Sequence, residues 1–137
     1  MRVIDSTVFE ASAPIAAARL ETVPGAMREL HWHPRSPEGR HDLSGRARMS
    51  VFAAGDTFRT LDVQAGDVGD VPQTMGHHVE NTGSEPVRYL GMFVGPRYAE
   101  VSLDRWLALI PPALVKAHLD LDDGLPARPR KRKGLVA

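Results

Sequence analysis

Three histidines and one glutamate are the residues whose types and spacing predict chemistry in this chain. His31, His33 and Glu38 lie in one short segment, and His77 follows farther along. Imidazole nitrogens and a carboxylate oxygen are ligands for divalent first-row metals. We therefore predict that His31, His33, Glu38 and His77 bind one metal ion. Four ligands leave positions on a six-coordinate ion open for a substrate or for dioxygen.

The spacing of these residues indicates extended segments that meet at one point. His31 and His33 are two positions apart, so a strand presents both side chains on one face. Glu38 follows a proline turn at 34–37, and His77 must come from a distant strand that crosses back. A small β-barrel builds a metal site in its mouth in this way. A His-x-His pair alone is typical of a polar surface, but the glutamate, the third histidine and the glycine and proline pattern favour a metal site.

Most of the chain reads as short strands separated by turn residues, followed by helical segments. The expected strands are 15–23, 27–33, 46–53, 57–63, 68–71, 77–81 and 87–94, with turns at 54–56 and 81–84. Strands at this density predict an antiparallel barrel or sandwich. Ser102 can cap a helix that carries Trp106 on its apolar face, and the prolines at 111–112 end it and open a second one. These helices must cover the outside of the barrel or a partner subunit.

Length and composition predict one all-β domain and a separate tail. The 137 residues, 42% of them hydrophobic, fit one domain. We place this domain at 1–125, with the barrel at 12–100 and the helices at 102–119. Residues 126–137 are basic and broken by proline, and we expect them to be disordered. Without the five basic residues of this tail, the chain has 12 basic residues against 17 acidic ones.

The composition also narrows the classes of function. The absence of cysteine excludes disulfides, thiolate metal sites and a cysteine nucleophile. The first residues lack the apolar run of a signal peptide, and no stretch reaches transmembrane length. The basic tail has no interleaved aromatic residues of the kind that binds nucleic acid. We therefore expect a cytoplasmic protein that binds neither nucleic acid nor membrane.

The two histidine segments together resemble the cupin superfamily. The run PGAMRELHWHP at 24–34 is similar to the oxalate decarboxylase family, and the runs QAGDVG at 64–69, MGH at 75–77 and VENTG at 79–83 are as well. The likeness continues through the SL and WLA runs at 102–103 and 106–108. It covers residues 2–120 and is to the C-terminal barrel of those two-barrel enzymes, here as a single barrel.

This resemblance implies an antiparallel double-stranded β-helix, or jelly-roll barrel, with one or two short C-terminal helices. It implies a manganese ion held by the four predicted ligands and a small carboxylate substrate bound to that metal. Arg28 matches a family arginine that helps to hold the substrate carboxylate, and Tyr98 matches a family tyrosine near the site. Glu100 aligns with the family's lid segment and is a candidate acid. The alternative is that Glu100 is an exposed acid near a helix N-terminus.

Two departures from the family concern the expected chemistry. The family has an acid after Leu90 that is a candidate proton donor, whereas this chain has Gly91. Loss of general acid–base help typically costs about 10²- to 10⁴-fold in rate. The family has an aromatic-rich strand where this chain has Arg40 and Asp42, and the strand period points both toward the metal. Buried charges must pair or remain hydrated, so we expect an ion pair, and the alternative is a distorted or disordered strand.

Strand alternation also predicts where the neighbours of the ligands point. It sends Glu29 inward and Arg28 outward, so Arg28 needs a local bulge to face the metal and is otherwise a surface arginine. Trp32 lies between two ligands and is expected to point outward and pack under the C-terminal helices. By the same argument, the remaining histidines are not ligands: His41, His78 and His118.

These observations give three hypotheses about function. The first is a manganese-dependent decarboxylase or oxidase that acts on oxalate or a related small carboxylic acid. The second is a cupin metalloenzyme with different chemistry, such as an oxygenase, isomerase or lyase, because one barrel hosts many reactions. The third is a non-catalytic barrel that binds a metal or a small molecule. The ligand set also suits iron, nickel, cobalt or zinc. Exposed sheet edges and apolar helix faces favour a homodimer.

Overall fold

The computed structural model describes residues 1–122 and consists of two antiparallel sheets and two short helices. The strands are β1 Arg2–Ile4, β2 Ile15–Thr22, β3 Met27–Trp32, β4 Glu38–Ser44, β5 Arg46–Ala53, β6 Thr57–Gln64, β7 Val68–Val71, β8 Gly76–Asn81, β9 Val87–Val94 and β10 Val101–Ser102. One sheet has the order β1-β2-β9-β4-β7 and the other the order β10-β3-β8-β5-β6. The helices are α1 Leu103–Leu109 and α2 Pro112–Leu119.

The core lies between the two sheets, where alternate residues of each strand face inward. Strand β9 alternates buried and partly exposed positions along its length, with Tyr89 and Phe93 among the buried ones. Met49 on β5 and Val79 on β8 pair across the opposite sheet and are also buried. This period of two is the pattern of a sheet with one face on the core. The all-β barrel expected from the sequence is therefore confirmed.

The turns and helix ends follow local backbone preferences. Gly55 and Asp56 both have positive φ between β5 and β6, as a tight hairpin turn that matches strand twist requires. Ser102 is the N-cap of α1, and its side chain accepts a hydrogen bond from the Arg105 backbone NH. Pro112 opens α2, as the sequence predicted. Trp106 on α1 meets Trp32 with ring centroids 6.0 Å apart, which confirms that α1 packs on the outside of the barrel.

Some elements were not expected from the sequence. Strands β1 and β10 contain three and two residues, too few for an alternating pattern. Strand β4 was not among the predicted strands, although Glu38 was expected to begin an extended segment, because its inward positions beyond Glu38 carry charge instead of apolar side chains. Among residues 1–122, no helix is long and apolar enough to cross a membrane. The predicted tail at 126–137 lies outside the described residues, as does the end of the predicted domain.

Candidate metal centre

The two sheets bring the four predicted ligands together at one end of the barrel. His31 on β3 is the direct cross-strand partner of His77 on β8. His33 follows the end of β3, and Glu38 begins β4 in the opposite sheet. One donor atom from each residue lies within 4.8 Å of the others, and all four residues are buried. The structure therefore contains a cluster of three histidines and one glutamate that can hold a metal ion.

The backbone fixes the orientation of each histidine ring. Nδ1 of His31 lies 2.7 Å from the Glu29 carbonyl oxygen, and Nδ1 of His77 lies 3.1 Å from that of Met75. Nδ1 of His33 lies 2.9 Å from the carbonyl oxygen of Ala99. Because a carbonyl only accepts, each Nδ1 carries a proton, and Nε2 is the ring nitrogen that remains available to a metal ion. A partner on the second ring nitrogen is the usual way in which metal-binding histidines are oriented.

The electrostatics of the cluster fit a bound cation. Burial lowers the pKa of His31 to about 2, with smaller contributions from His77 and Arg28, so this ring is neutral. Burial works against ionisation of Glu38, but its contacts with the rings of His33 and His77 hold its pKa below the usual range. Nε2 of His33 is buried without a hydrogen-bond partner, 3.2 Å from Oε2 of Glu38. Nε2 of His77 lies 3.1 Å from the same oxygen. Lone pairs that converge on an anionic oxygen are satisfied when a metal ion lies among them.

Arg28 is buried, against strict alternation. Both Arg28 and Glu29 are 4% exposed, although they are neighbours on β3. The pairing of β3 with β8 shifts register between Arg28 and His31, and such a bulge turns consecutive side chains toward one face. The prediction that Arg28 points outward is therefore wrong. The local bulge that an inward-facing Arg28 requires is present.

Glu100 and Tyr98 form a partly buried hydrogen-bonded group with Arg28. Oε2 of Glu100 accepts from Nη2 of Arg28 and from the Tyr98 hydroxyl. Burial raises the pKa of Tyr98 to about 12, so the hydroxyl keeps its proton as a donor. The Tyr98 ring also lies 5.6 Å from that of His33. The alternative reading of Glu100 as an exposed acid is wrong, because its side chain is only 12% exposed.

Arg40 and Asp42 form an ion pair inside the barrel. They are 1% and 3% exposed, and Nη2 of Arg40 lies 2.5 Å from Oδ1 of Asp42. Nε of Arg40 lies 3.1 Å from both carboxylate oxygens, and its guanidinium carbon lies 3.6 Å from the Tyr89 ring centroid. The expected ion pair is confirmed, and β4 is an ordered strand between β7 and β9.

Gly91 faces the metal cluster from β9, where it is the cross-strand partner of Arg40. A Cβ atom at this position would lie 2.7 Å from Oε1 of Glu38 and 3.1 Å from the Phe93 ring. The glycine thus leaves room for the Glu38 carboxylate as it stands. An acidic side chain here would require Glu38 to move.

The remaining predicted positions agree with the sequence expectations. His41 and His78 are half-buried at alternate positions from the ligands, and His118 is exposed on α2. Two contributors were missed. The Phe93 ring contacts that of His33 in a tilted arrangement, with the centroids 4.6 Å apart, and an alternating apolar strand gives no sign of which aromatic residue touches a ligand. The Glu29 carboxylate was expected only to point inward, but it bonds Arg28.

A double-sheet barrel with this ligand cluster in its mouth defines a cupin, and the family comparison agrees. The cupin family model matches residues 3–124, so the chain belongs to the cupin family. It is 54% identical to Bacillus subtilis oxalate decarboxylase OxdC over 119 residues, 87% of this chain. It is 43% identical to a probable oxalate decarboxylase of Arthroderma benhamiae over 88% of this chain, and 32% identical to germin-like protein 5-1 of Oryza sativa over 78%.

Solved structures give the same result. A structure of Bacillus subtilis oxalate decarboxylase, determined in work on its Mn(II) centres, covers 98% of this chain with a TM-score of 0.94 and 50% identity. This chain spans 36% of that one, and 31% and 30% of the two decarboxylases compared by sequence. The similarity to oxalate decarboxylases therefore covers between 30% and 36% of the length of those proteins.

Proposed function

We propose that this cupin is a manganese-dependent enzyme that acts on oxalate or a related small carboxylic acid. The observation that carries the proposal is the buried cluster of three imidazole nitrogens and one Glu38 carboxylate oxygen, all within 4.8 Å of one another, in a chain 54% identical to an oxalate decarboxylase. The relative whose structure matches has Mn(II) centres, which supports manganese over the other metals that this ligand set suits.

Each part of the site has a role in this proposal. His31, His33, Glu38 and His77 hold the ion, which supplies an open coordination position and Lewis acidity for a carboxylate. The buried guanidinium of Arg28 contributes a fixed positive charge for the same ligand. Tyr98 and Glu100 complete the hydrogen bonds around Arg28. Burial of the four ligand side chains lowers the local dielectric constant, which strengthens these electrostatic interactions.

A second candidate is a cupin metalloenzyme with different chemistry, and two observations favour it. Gly91 cannot donate a proton, although the family resemblance places an acid there. The Arg40–Asp42 pair replaces an apolar wall below the metal cluster with charge. Both changes alter the surroundings of the ligands and leave the ligands in place. A non-catalytic metal-binding barrel is the third possibility, and an oxidation, isomerisation or lyase assay separates it from the second.

Metal analysis is the first experiment. Protein purified without a histidine tag is expected to contain about one transition metal ion per chain. His77→Ala is expected to abolish tight binding, whereas His78→Ala leaves it unchanged and is the matched control, because His78 is the neighbouring residue of the same strand. A protein that takes up no metal when manganese, iron or zinc is added would contradict the site. Equal loss in both variants would contradict the assignment of His77.

Oxalate turnover is the second experiment. The manganese-loaded protein is expected to release carbon dioxide and formate from oxalate, at a rate about 10²- to 10⁴-fold below that of an enzyme with a general acid. Gly91→Glu is expected to raise this rate only if Glu38 moves, since the new Cβ would lie 2.7 Å from Oε1. Release of hydrogen peroxide in place of formate would indicate an oxidase, and the absence of both products would favour the second candidate.

The expected partners and location also remain proposals. We propose that the ligand is a small-molecule carboxylate, that the protein is a cytoplasmic homodimer, and that neither nucleic acid nor membrane is a partner. The exposed large apolar side chains of the barrel surface, including Phe58 and Val68, support self-association.

A further inference from the structure

Arg28 lies between two carboxylates that differ in how firmly they are held. Glu29 follows Arg28 on β3, and its side chain is 4% exposed. Glu100 belongs to the connection at 95–100, which forms neither helix nor strand, and its side chain is 12% exposed. The guanidinium bonds both acids at once, Glu29 through Nη1 and Glu100 through Nη2.

Glu29 is held by hydrogen bonds within β3 and by the N-cap residue of helix α1. Its Oε1 accepts from Nη1 of Arg28 at 2.7 Å, and its Oε2 accepts from the Ser102 hydroxyl at 2.8 Å. Ser102 is itself the N-cap of α1 and the cross-strand partner of His31. The Glu29 carbonyl accepts from Nδ1 of His31 at 2.7 Å. One residue therefore orients a metal ligand through its backbone and the buried arginine through its side chain.

Glu100 makes a contact that a ligand carboxylate can reproduce. Its Oε2 accepts from Nη2 of Arg28 and from the Tyr98 hydroxyl, and an oxygen of a bound carboxylate can accept the same two bonds. Nε of Arg28 is buried without a hydrogen-bond partner, so the guanidinium has a donor left for a further acceptor. A ligand carboxylate that takes the place of Glu100 and also accepts from Nε would give this buried donor an acceptor.

We infer that Arg28 has one permanent and one exchangeable carboxylate partner. Glu29 is a positioning residue that holds the guanidinium in the barrel, and Glu100 occupies the position that the carboxylate of a bound ligand takes. This inference rests on the proposed function, in which Arg28 binds a ligand carboxylate. It assigns opposite effects to the two acids. Removal of Glu29 weakens ligand binding, and removal of the Glu100 charge strengthens it.

Calorimetric titration of the manganese-loaded protein with oxalate, formate and acetate tests this assignment. Glu29→Ala is expected to weaken binding about tenfold, because a charge-assisted hydrogen bond that fixes Arg28 is lost. Glu29→Gln is expected to stay within about threefold of the unmodified protein, since an amide oxygen still accepts from Arg28 and the amide nitrogen faces Ser102. Glu100→Gln is expected to tighten binding by about three- to tenfold, because a neutral amide competes less well for Arg28.

The direction of the Glu100→Gln effect is the decisive result, because general damage to the fold cannot tighten binding. Binding that is unchanged or weaker in this variant would overturn the exchange. Full binding by Glu29→Ala, or equal loss in Glu29→Gln, would overturn the positioning role. If the unmodified protein binds none of the three acids, the proposed function fails. Crystal structures of the variants then decide the inference: Arg28 keeps its place in Glu100→Gln and leaves it in Glu29→Ala, and any other outcome refutes it.

Discussion

Replacement of the Arg40–Asp42 ion pair by apolar side chains tests how the barrel tolerates charge below the metal cluster. The two residues are 1% and 3% exposed, and three Arg40 to Asp42 contacts between 2.5 and 3.1 Å join them. Removing one member of such a pair typically costs about 3–5 kcal/mol, whereas replacing both by apolar groups of similar volume is neutral or stabilising. We therefore expect Arg40→Met and Asp42→Leu each to destabilise strongly, and the double variant to lie within about 1 kcal/mol of the unmodified protein.

The two single variants differ in how pH affects them. In Arg40→Met the unpaired carboxyl can take up a proton, which for an ordinary aspartate costs about 4 kcal/mol at pH 7 and about 1.4 kcal/mol less for each pH unit below it. The deficit of this variant is therefore expected to shrink between pH 7 and pH 5. In Asp42→Leu the unpaired guanidinium cannot lose its proton in this range, and its stacking on Tyr89 does not replace the lost partner. That deficit is expected to be constant.

Urea unfolding of the four proteins at one fixed metal concentration measures these quantities as a double-mutant cycle. Because each single variant is expected to cost about 3–5 kcal/mol and the double variant at most about 1 kcal/mol, the expected coupling energy between positions 40 and 42 is at least about 5 kcal/mol. Single variants that each cost less than about 1 kcal/mol would show that water reaches the pair and would refute the reasoning. A double variant as unstable as the sum of the single ones would refute it as well.

Two further predictions concern pH and assembly. Because the pKa of His31 falls from 6.5 in the unfolded chain to about 2 in the fold, the unfolded state binds more protons between these values. The contribution of His31 to the free energy of unfolding of the metal-free protein is therefore fully present above pH 6.5 and falls by up to about 1.4 kcal/mol per pH unit below it. Thermal unfolding from about pH 7.5 to about pH 4.5 measures this change, and a flat profile would contradict it. The cross-strand pair Phe52 and Phe58 is 55% and 70% exposed, so Phe58→Glu is expected to give a monomer in sedimentation velocity and Thr60→Glu a dimer. A monomeric unmodified protein would contradict the dimer.

The sequence predicted the ligand cluster because its geometry depends on local rules. Two residues separated by one on a strand must share a face, so His31 and His33 were placed correctly before any tertiary contact was known. His77 followed from the need for a crossing strand, and the structure pairs it directly with His31. The ion pair of Arg40 and Asp42 followed from the same period, because two buried opposite charges on one face have no cheaper arrangement.

The contacts of Arg28 could not be predicted from the sequence, because they depend on tertiary structure. A bulge between Arg28 and His31 reverses the direction that alternation gives, and bulges depend on the pairing of two strands. Glu100 lies on an irregular connection, where no period gives its direction, and a contact across 72 positions of the chain places it on Arg28. The same holds for the bond between Glu29 and Ser102, which joins β3 to the start of α1 across 73 positions.

The two buried arginines, Arg28 and Arg40, differ in the partners of their guanidinium groups. Arg40 uses Nε and Nη2 on Asp42 and one face on Tyr89, and its Nη1 contacts only the Met49 sulfur among its described hydrogen bonds. Arg28 instead has Glu100, whose side chain is 12% exposed, as one of its partners, and its Nε has no hydrogen-bond partner. A ligand carboxylate is therefore expected to bind Arg28. The Arg40–Asp42 pair changes the shape of the barrel interior, but Asp42 already neutralises the positive charge of Arg40. A reaction that differs from that of the decarboxylase relatives would then follow from the glycine at position 91, because the ligand cluster and the buried Arg28 are both in place.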